Sequence, residues 1–385
     1  MKYLSESKIE NKKVILRCDL NVPIKNNEIL DNSKIINSLN TIEYLLNNNN
    51  TVIILSHFGR IKKEEDKKEN SLLPVFYELK KYIDIEFIPN PLNLEEVTSV
   101  STSKCFLVEN TRFTDLSQKK ESSNDLELAK YWSNFGDVFV LDAFATSHRV
   151  HSSTAGISKY LPTYIGFMME KELNNLDNLV HNPLHPFIVI MGGAKVDDKI
   201  KIIESIIVKC DKLILTGGIL NTFLKVLGYN VGQSLVSEDD EVINSVNNII
   251  KMYSDKLYFT NLFSVKRDNI IKKVKINKIE NNDIIYDNIP SLINLLNDSK
   301  TIFFNGTCGK YEDDNYIEGT FKLLKDLSDS STSVYIGGGD TISAVNKFGF
   351  EDSYKYLSSG GGATLEYIAY GKLNSLEWIK INGIN

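Results

Sequence analysis

Arginine is nearly missing from this chain: only five of its 44 basic residues are arginine (Arg17, Arg60, Arg112, Arg149 and Arg267), the rest being lysine. Cysteine is as sparse. Cys18, Cys105, Cys210 and Cys308 stand far apart, with no C-x-x-C pair and no histidine at zinc-finger spacing. That spacing excludes a disulfide-stapled scaffold and a structural zinc site, and free thiols are expected. No apolar run approaches the roughly 20 residues of a membrane span, and the opening MKYLSESKIENKK holds no apolar core of a secretory signal. A cytoplasmic location is the expectation. Surplus positive charge is lacking too: 44 Lys+Arg against 50 Asp+Glu leave −6. Neither nucleic acid nor a membrane surface is therefore an expected partner, and an anionic ligand needs a local basic patch. Two familiar nucleotide loops are absent as well. Gly306-Thr-Cys-Gly-Lys310 has neither the spacing nor the hydroxyl of G-x-x-x-x-G-K-[ST], and no G-x-G-x-x-G is followed by a ribose-binding acid. This argues against a P-loop enzyme and against a dinucleotide dehydrogenase.

What is present is an ordinary globular composition, 42% hydrophobic and 24% charged over 385 residues, enough for two to three domains with real cores. The scarcity of arginine makes its placement informative. Four of the five follow or end short β-branched or apolar runs: VILRCDLN, TVIILSHFGR, CFLVENTRF and VFVLDAFATSHRVH. Each run reads as a buried strand ending in polar residues. Between them lie stretches with helical spacing of apolar positions, such as NSKIINSLNTIEYLL, LLPVFYELKKYI and NDLELAKYWSNF. Strand and helix in alternation predict a parallel α/β sheet, and ligands of such sheets bind beyond the carboxyl ends of the strands. His57, His148 and His151 fall at those same ends. The first half is thus expected to receive a small, multiply charged anion. Arginine forks suit carboxylate and phosphate, and Asp19 and Asn21 could accept hydroxyl protons, so a phosphorylated hydroxy-acid fits.

The second half repeats the pattern with glycine at the strand ends: FIVIMGGAK, KLILTGG, TIFFNGTCG, SVYIGGGDT and YLSSGGGATLEY. Glycine lets backbone approach phosphate oxygens, and a helix starting directly afterwards offers free N–H groups and the positive end of its dipole. Asp340, after Gly337 to Gly339, is placed either to hold Mg2+ on nucleotide phosphates or to cap the following helix. Lys195 and Lys199 flank the start of the helix after Gly192-Gly193-Ala194, where a lysine can reach a phosphate or simply be solvated. A cationic receptor in one half and a glycine-lined phosphate site in the other suggest phosphoryl transfer between two substrates.

These residues resemble the phosphoglycerate kinase family, from about residue 3 to residue 384. The collinear motifs are RCDLNVP (17 to 23), SHFGR (56 to 60), ENTRF (109 to 113), LDAFATSHRVHSSTAGI (141 to 157) and MMEKEL (168 to 173). GGAKVDDKI (192 to 200), GYNVGQSLV (228 to 236), IGGGDT (336 to 341) and SSGGGATLEY (358 to 367) complete them. The resemblance implies an α/β fold of two Rossmann-like lobes, each a parallel sheet flanked by helices, joined by a hinge helix. The implied boundaries are 1–165 for the acid-binding lobe, 166–182 for the interdomain helix, 183–370 for the Mg-nucleotide lobe, and 371–385 for a tail returning to the first lobe. It implies reversible phosphoryl transfer between 1,3-bisphosphoglycerate and ADP, giving 3-phosphoglycerate and ATP, by a cytoplasmic monomer whose lobes close over the reaction.

By matching positions, the resemblance puts the acid substrate on Asp19, Asn21, Lys34, His57, Arg60, Arg112 and Arg149. Nucleotide phosphates and Mg2+ go to Lys199, Asn305, Gly338, Gly339, Asp340 and Thr341, with Glu312 on the ribose and Asp340 as the metal ligand. Lys195, Lys34, Gly338 and Gly361 are implied to be catalytic, Lys195 neutralising the phosphoryl group in flight. The departures are specific. The family's D-x-x-R-I is Asp31-Asn-Ser-Lys34-Ile35 here, which keeps a charge and loses a fork. The family W-N-G-P-x-G-x-F-E becomes FNGTCGKYE, with Thr307 for proline and Lys310 for an apolar residue. G-L-D-I-G-P is reduced to IIYDNIPS at 284–291, and a triple-glycine strand end to Thr216-Gly217-Gly218. The alternative expectation is a weakened or inactive homologue serving as a ligand-binding scaffold.

Overall fold

The computed structural model describes residues 1–26, 28–290 and 292–384, so Ser291 of the altered 284–291 segment lies outside the described residues. The chain divides into two compact units, Met1–Asn174 with Lys372–Asn385, and Asn175–Gly371.

The first unit is built on a seven-stranded parallel sheet. Its strands are β1 (Lys2–Tyr3), β2 (Lys13–Cys18), β3 (Thr51–Leu55), β4 (Glu86–Ile88), β5 (Cys105–Val108), β6 (Val138–Asp142) and β7 (Thr163–Ile165), in the order β1-β7-β6-β2-β3-β5-β4. Residues 14–18, 105–108 and 138–142 are buried without interruption. This is the pattern of strands covered on both faces, and it is why they read as continuous apolar runs rather than alternating ones. The expected helices form at Ser33–Asn47, Leu73–Leu79 and Leu126–Ser133. In the first, Ile35, Leu39, Ile42 and Leu45 recur at helical spacing and face the core. The last starts where Asp125 accepts a hydrogen bond from the Leu128 amide at 2.8 Å. From β2 the chain builds outward on one side through β3, β4 and β5. It then returns to β6 on the other side of β2, so a topological switch point lies between β2 and β6. Cys18 and Asp142 pair across that boundary.

The C-terminal helix Asn374–Asn382 belongs to this unit. Ser375 donates to the Arg149 carbonyl at 2.6 Å, Asn374 to the His148 carbonyl at 2.8 Å, and the Ile384 amide to the Ser158 carbonyl at 2.9 Å. These bonds brace the loop that follows β6.

The second unit carries a six-stranded parallel sheet of β8 (Phe187–Met191), β9 (Lys212–Leu215), β10 (Leu257–Tyr258), β14 (Thr301–Asn305), β15 (Ser333–Gly337) and β16 (Tyr356–Ser358). The strand order is β10-β9-β8-β14-β15-β16. Met191 pairs with Leu215 and with Asn305, Asn305 with Gly337, and Gly337 with Ser358, so five carboxyl ends fall on one line. The switch point here lies between β8 and β14.

An antiparallel sheet, β12 (Ile270–Lys275), β11 (Leu262–Arg267) and β13 (Ile284–Asn288) in the order β12-β11-β13, was not expected from the sequence. Asp268 and Asn269 both adopt left-handed φ, +51° and +63°, and close a two-residue hairpin between the paired residues Arg267 and Ile270. All four cysteines are free, as their spacing suggested, and all four are buried.

Candidate active site

In the first unit the loops after β2, β3, β5 and β6 meet around a cleft of about 170 Å³ lined by Asp19, Asn21, Lys34, His57, Arg112, His148, Arg149 and His151, among others. A second depression of about 420 Å³ continues it through Arg112 and Arg149 to Arg60, Lys62 and Lys119. The loops are tied to each other by short-range bonds. Buried Asn110 accepts from the amides of Phe58 and Arg112, each at 3.0 Å, and donates to the carbonyls of Phe58 and Asn70 at 2.7 and 2.8 Å. One side chain thereby locks the His57 loop to the Arg112 loop, and each such bond contributes about 1 kcal/mol. Asn21 accepts from the Gly59 amide at 3.1 Å, and Arg112 donates to the Gly59 carbonyl at 2.5 Å. Gly59 sits at φ +54°, and a Cβ there would strike the Asn70 amide.

The cations are not equivalent. Arg60 and Arg149 are exposed, whereas Arg112 is 8% exposed and its Nε has no partner. Lys34 donates to Asp19 at 2.7 Å, so its charge is matched within the protein. The three histidines are neutral in this setting. Desolvation, followed by neighbouring arginines, pushes His148 down to about 4 and His151 down to about 3, and His57 well below its ordinary value. One expectation is corrected. Arg17 does not lie beyond its strand at the cleft; it is the penultimate residue of β2, wholly buried, and spends its donors inside the protein.

In the second unit the glycine-ended strands bring Gly192, Gly193, Gly217, Gly218 and Gly306 together. A Cβ on Gly306 would lie 2.2 Å from the Gly192 carbonyl oxygen, and one on Gly218 would lie 2.1 Å from that of Ala194. Glycine is therefore required here by backbone packing as well as by any phosphate. Lys199, at the N-cap of the helix Ile200–Ile207, donates to the Gly192 carbonyl at 2.7 Å and to Asn305 Oδ1 at 2.6 Å. Burial pushes its ammonium down to about 8, and Asp340 and Asp198 pull it back up. Asn305 also donates to the Gly337 carbonyl at 2.6 Å, so both ends of its buried amide are used. Buried Thr341 accepts from the Gly306 amide at 2.7 Å, which ties two strand ends together. Gly338, at φ +101°, caps the helix Gly339–Phe348, and Gly361, at φ +55°, caps the helix Gly362–Tyr370.

Asp340 is exposed in the first turn and is not the N-cap, which corrects that alternative and leaves its carboxylate available to a ligand. Lys195, Gly339 and Glu312 are exposed as well. The altered 284–291 segment holds a group that sequence reasoning passed over. Asp287 is buried, accepts from the Gly319 amide at 2.8 Å, and is pushed up to about 7 by desolvation.

Compared with known proteins, the phosphoglycerate kinase family model matches residues 4–372. The chain belongs to the phosphoglycerate kinase family. It is 38% identical over 394 residues to a phosphoglycerate kinase of Macrococcus caseolyticus and 37% over 407 residues to one of Mycoplasmoides gallisepticum, each alignment covering 98% of both chains. The solved structure of phosphoglycerate kinase from Coxiella burnetii superposes with a TM-score of 0.85 at 33% identity, covering 98% of each chain. That from Pyrococcus horikoshii gives 0.85 at 26% identity, covering 99% of each. The two-lobed α/β architecture implied by the motifs is thus that of solved phosphoglycerate kinases. No described helix is long and apolar enough to cross a membrane.

Proposed function

We propose that this chain, an enzyme of the phosphoglycerate kinase family, transfers a phosphoryl group reversibly between 1,3-bisphosphoglycerate and ADP, giving 3-phosphoglycerate and ATP. The observation that carries this is the full-length family match over two chemically different sites, a cationic cleft and a glycine-lined row of strand ends. In the cleft, Arg60, Arg112 and Arg149 supply forks for phosphate and carboxylate, and His57 supplies a neutral donor. Asp19 and Asn21 orient the hydroxyl, with Lys34 beside them. In the second unit Lys199 and the first-turn amides after Gly338 meet the nucleotide phosphates, with Gly339 and Thr341. Asn305 holds Lys199 in place, and Glu312 is available to the ribose.

The acyl phosphate is already activated, so no covalent intermediate on the protein is needed. Alignment, exclusion of water and neutralisation of charge on the transferring oxygens suffice. Lys195 is the mobile charge for that neutralisation, and the helix ends at Gly338 and Gly361 supply N–H donors. Mg2+ fits the donor set. Among the described residues no group of three or more candidate ligands forms a protein cage, but exposed Asp340 provides the single carboxylate with which such an ion is held on nucleotide phosphates. The bound ion would neutralise phosphate charge. The enzyme is proposed to work as a cytoplasmic monomer.

A coupled assay with 3-phosphoglycerate, Mg2+ and ATP or GTP tests the reading. Turnover is expected in the wild type and is expected to be lost in Asp340→Ala; equal rates in the two would replace catalysis with the scaffold alternative.

A further inference from the structure

Arg17 lies inside β2 with no exposed surface, out of the cleft, and its bonds show what it does there. Its Nη2 stands 3.0 Å from Nδ1 of His57. A guanidinium has five donors, no acceptor, and no accessible deprotonated form. Two N–H groups cannot share one hydrogen bond, so Nδ1 of His57 must present its lone pair. The ring then holds its only proton on Nε2, and His57 is one wall of the cleft. We propose that Arg17 is a positioning residue that fixes His57 as the neutral Nε2–H tautomer, so that the cleft offers an uncharged donor of set direction to the anionic substrate. This rests on the reading of the cleft as the acid-substrate site.

The guanidinium is itself held in place. Its Nε donates to Ser153 Oγ at 2.7 Å, and Nη1 donates to the Cys18 carbonyl. The Ser153 hydroxyl in turn donates to buried Glu121, whose other oxygen accepts the Ser153 amide at 3.0 Å, while Thr111 donates at 3.3 Å. Both oxygens of Glu121 therefore act as acceptors; burial pushes its carboxyl up, while the Arg17 cation and the Ser153 bonds pull it back down. A chain runs from Glu121 through Ser153 and Arg17 to His57, each member settling the donor or acceptor role of the next. The other two histidines of the cleft have no such partner, since Nδ1 of His148 and Nδ1 of His151 are buried and unbonded. Burial and the surrounding cations, Arg17, Arg112 and Lys34 together with His151, keep His57 deprotonated as well.

The test is long-range 1H–15N correlation of the imidazole rings in the full-length, ligand-free protein at neutral pH. Five histidines are present, and the His57 signals are assigned by their loss in His57→Gln. A pyridine-type Nδ1 and a pyrrole-type Nε2 are expected; a protonated Nδ1 would overturn the proposal. In Arg17→Met the two tautomers are expected to mix and the KM for 3-phosphoglycerate to rise about tenfold, the loss of one oriented hydrogen bond. The KM for nucleotide should stay within twofold. Should that variant fail to fold, Arg17→Met/Glu121→Gln removes cation and anion together and carries the same expectation. An unchanged tautomer ratio in the folded variant means that Arg17 does not set it, and the proposal falls. A changed ratio with an unchanged KM for 3-phosphoglycerate leaves the tautomer control standing and refutes the assignment of the cleft.

Discussion

On the proposed reading, two lysines govern how well the sites hold anions. Lys34 stands where the resemblance leads us to expect arginine, and in the structure its ammonium is engaged with Asp19 at 2.7 Å. A point charge so committed offers little to a phosphoryl group, whereas a guanidinium could bond Asp19 and still present a second edge. Lys34→Arg is therefore expected to raise kcat several-fold in steady-state assays; an unchanged or lower kcat would show that lysine is fully adapted here. Lys199 is held down to about 8 by burial, so its charge is lost as pH rises through that value. Bound phosphates favour the charged form. Affinity for Mg-ADP should thus be highest below about pH 8 and decline above it, with proton uptake on binding near that pH, as measured by calorimetry in buffers of different ionisation enthalpy. Lys199→Met should bind more weakly and show no such dependence. The family resemblance singled out both lysines, and spacing alone left Lys199 as open to solvent as to phosphate; neither the Asp19 partner nor the burial of Lys199 was legible. Asp19 lies in the loop after β2 and Lys34 in the helix Ser33–Asn47, and only the fold brings them within reach.

Among the elements, the helix that follows β15 is bounded by two glycines of different kinds. Gly338 lies at φ +101°, and a Cβ would come 2.5 Å from Asn305 Nδ2. Gly349 lies at φ +73°, ends the helix that Gly338 begins, and would meet nothing within 4 Å. Alanine at either position carries backbone strain of about 1–2 kcal/mol, and thermal unfolding should register it in both variants. Only Gly338→Ala is expected to displace Asn305 and with it Lys199, lowering affinity for Mg-ADP at least tenfold. Equal nucleotide affinity in the two variants would show that the Asn305 contact is immaterial. The strands of both parallel sheets that end in polar residues or glycine followed from their apolar runs, whereas β1, β4, β7 and β10, two or three residues long, carried no run to read. The antiparallel hairpin was missed because its signal, Asp268-Asn269 in left-handed conformation, is two residues long and lies in a lysine-rich stretch. Exposed lysines on β12 suit a sheet edge, where they discourage pairing with another chain. They do not suit a buried strand, and that is why the stretch did not read as one.

At the scale of the molecule, the cationic cleft links function to stability. His57, His148 and His151 are all held neutral, with folded values below the ordinary 6.5 and as low as about 4 and about 3 for the last two. Below about pH 6.5 the unfolded chain takes up protons that the folded protein refuses. Stability contributed by these groups is full above that pH and falls as the solution is acidified toward pH 4. Thermal unfolding at pH 7 and pH 5 should show this drop, and His151→Gln should shrink it; an unchanged slope would mean that His151 takes up protons equally in the folded and unfolded states. The sequence by itself determined the parallel α/β architecture, the family and the residue types at each strand end. These depend on apolar periodicity, on collinear motifs and on local backbone chemistry, all of which are written along the chain. Only the tertiary structure decided which cations face the cleft. Arg17 and Arg112 look alike in sequence, each at the end of an apolar run, yet one is sealed inside against Ser153 and His57 while the other lines the cleft. The Arg17 guanidinium takes a hydrogen-bond partner 136 residues away along the chain, and no local pattern encodes that.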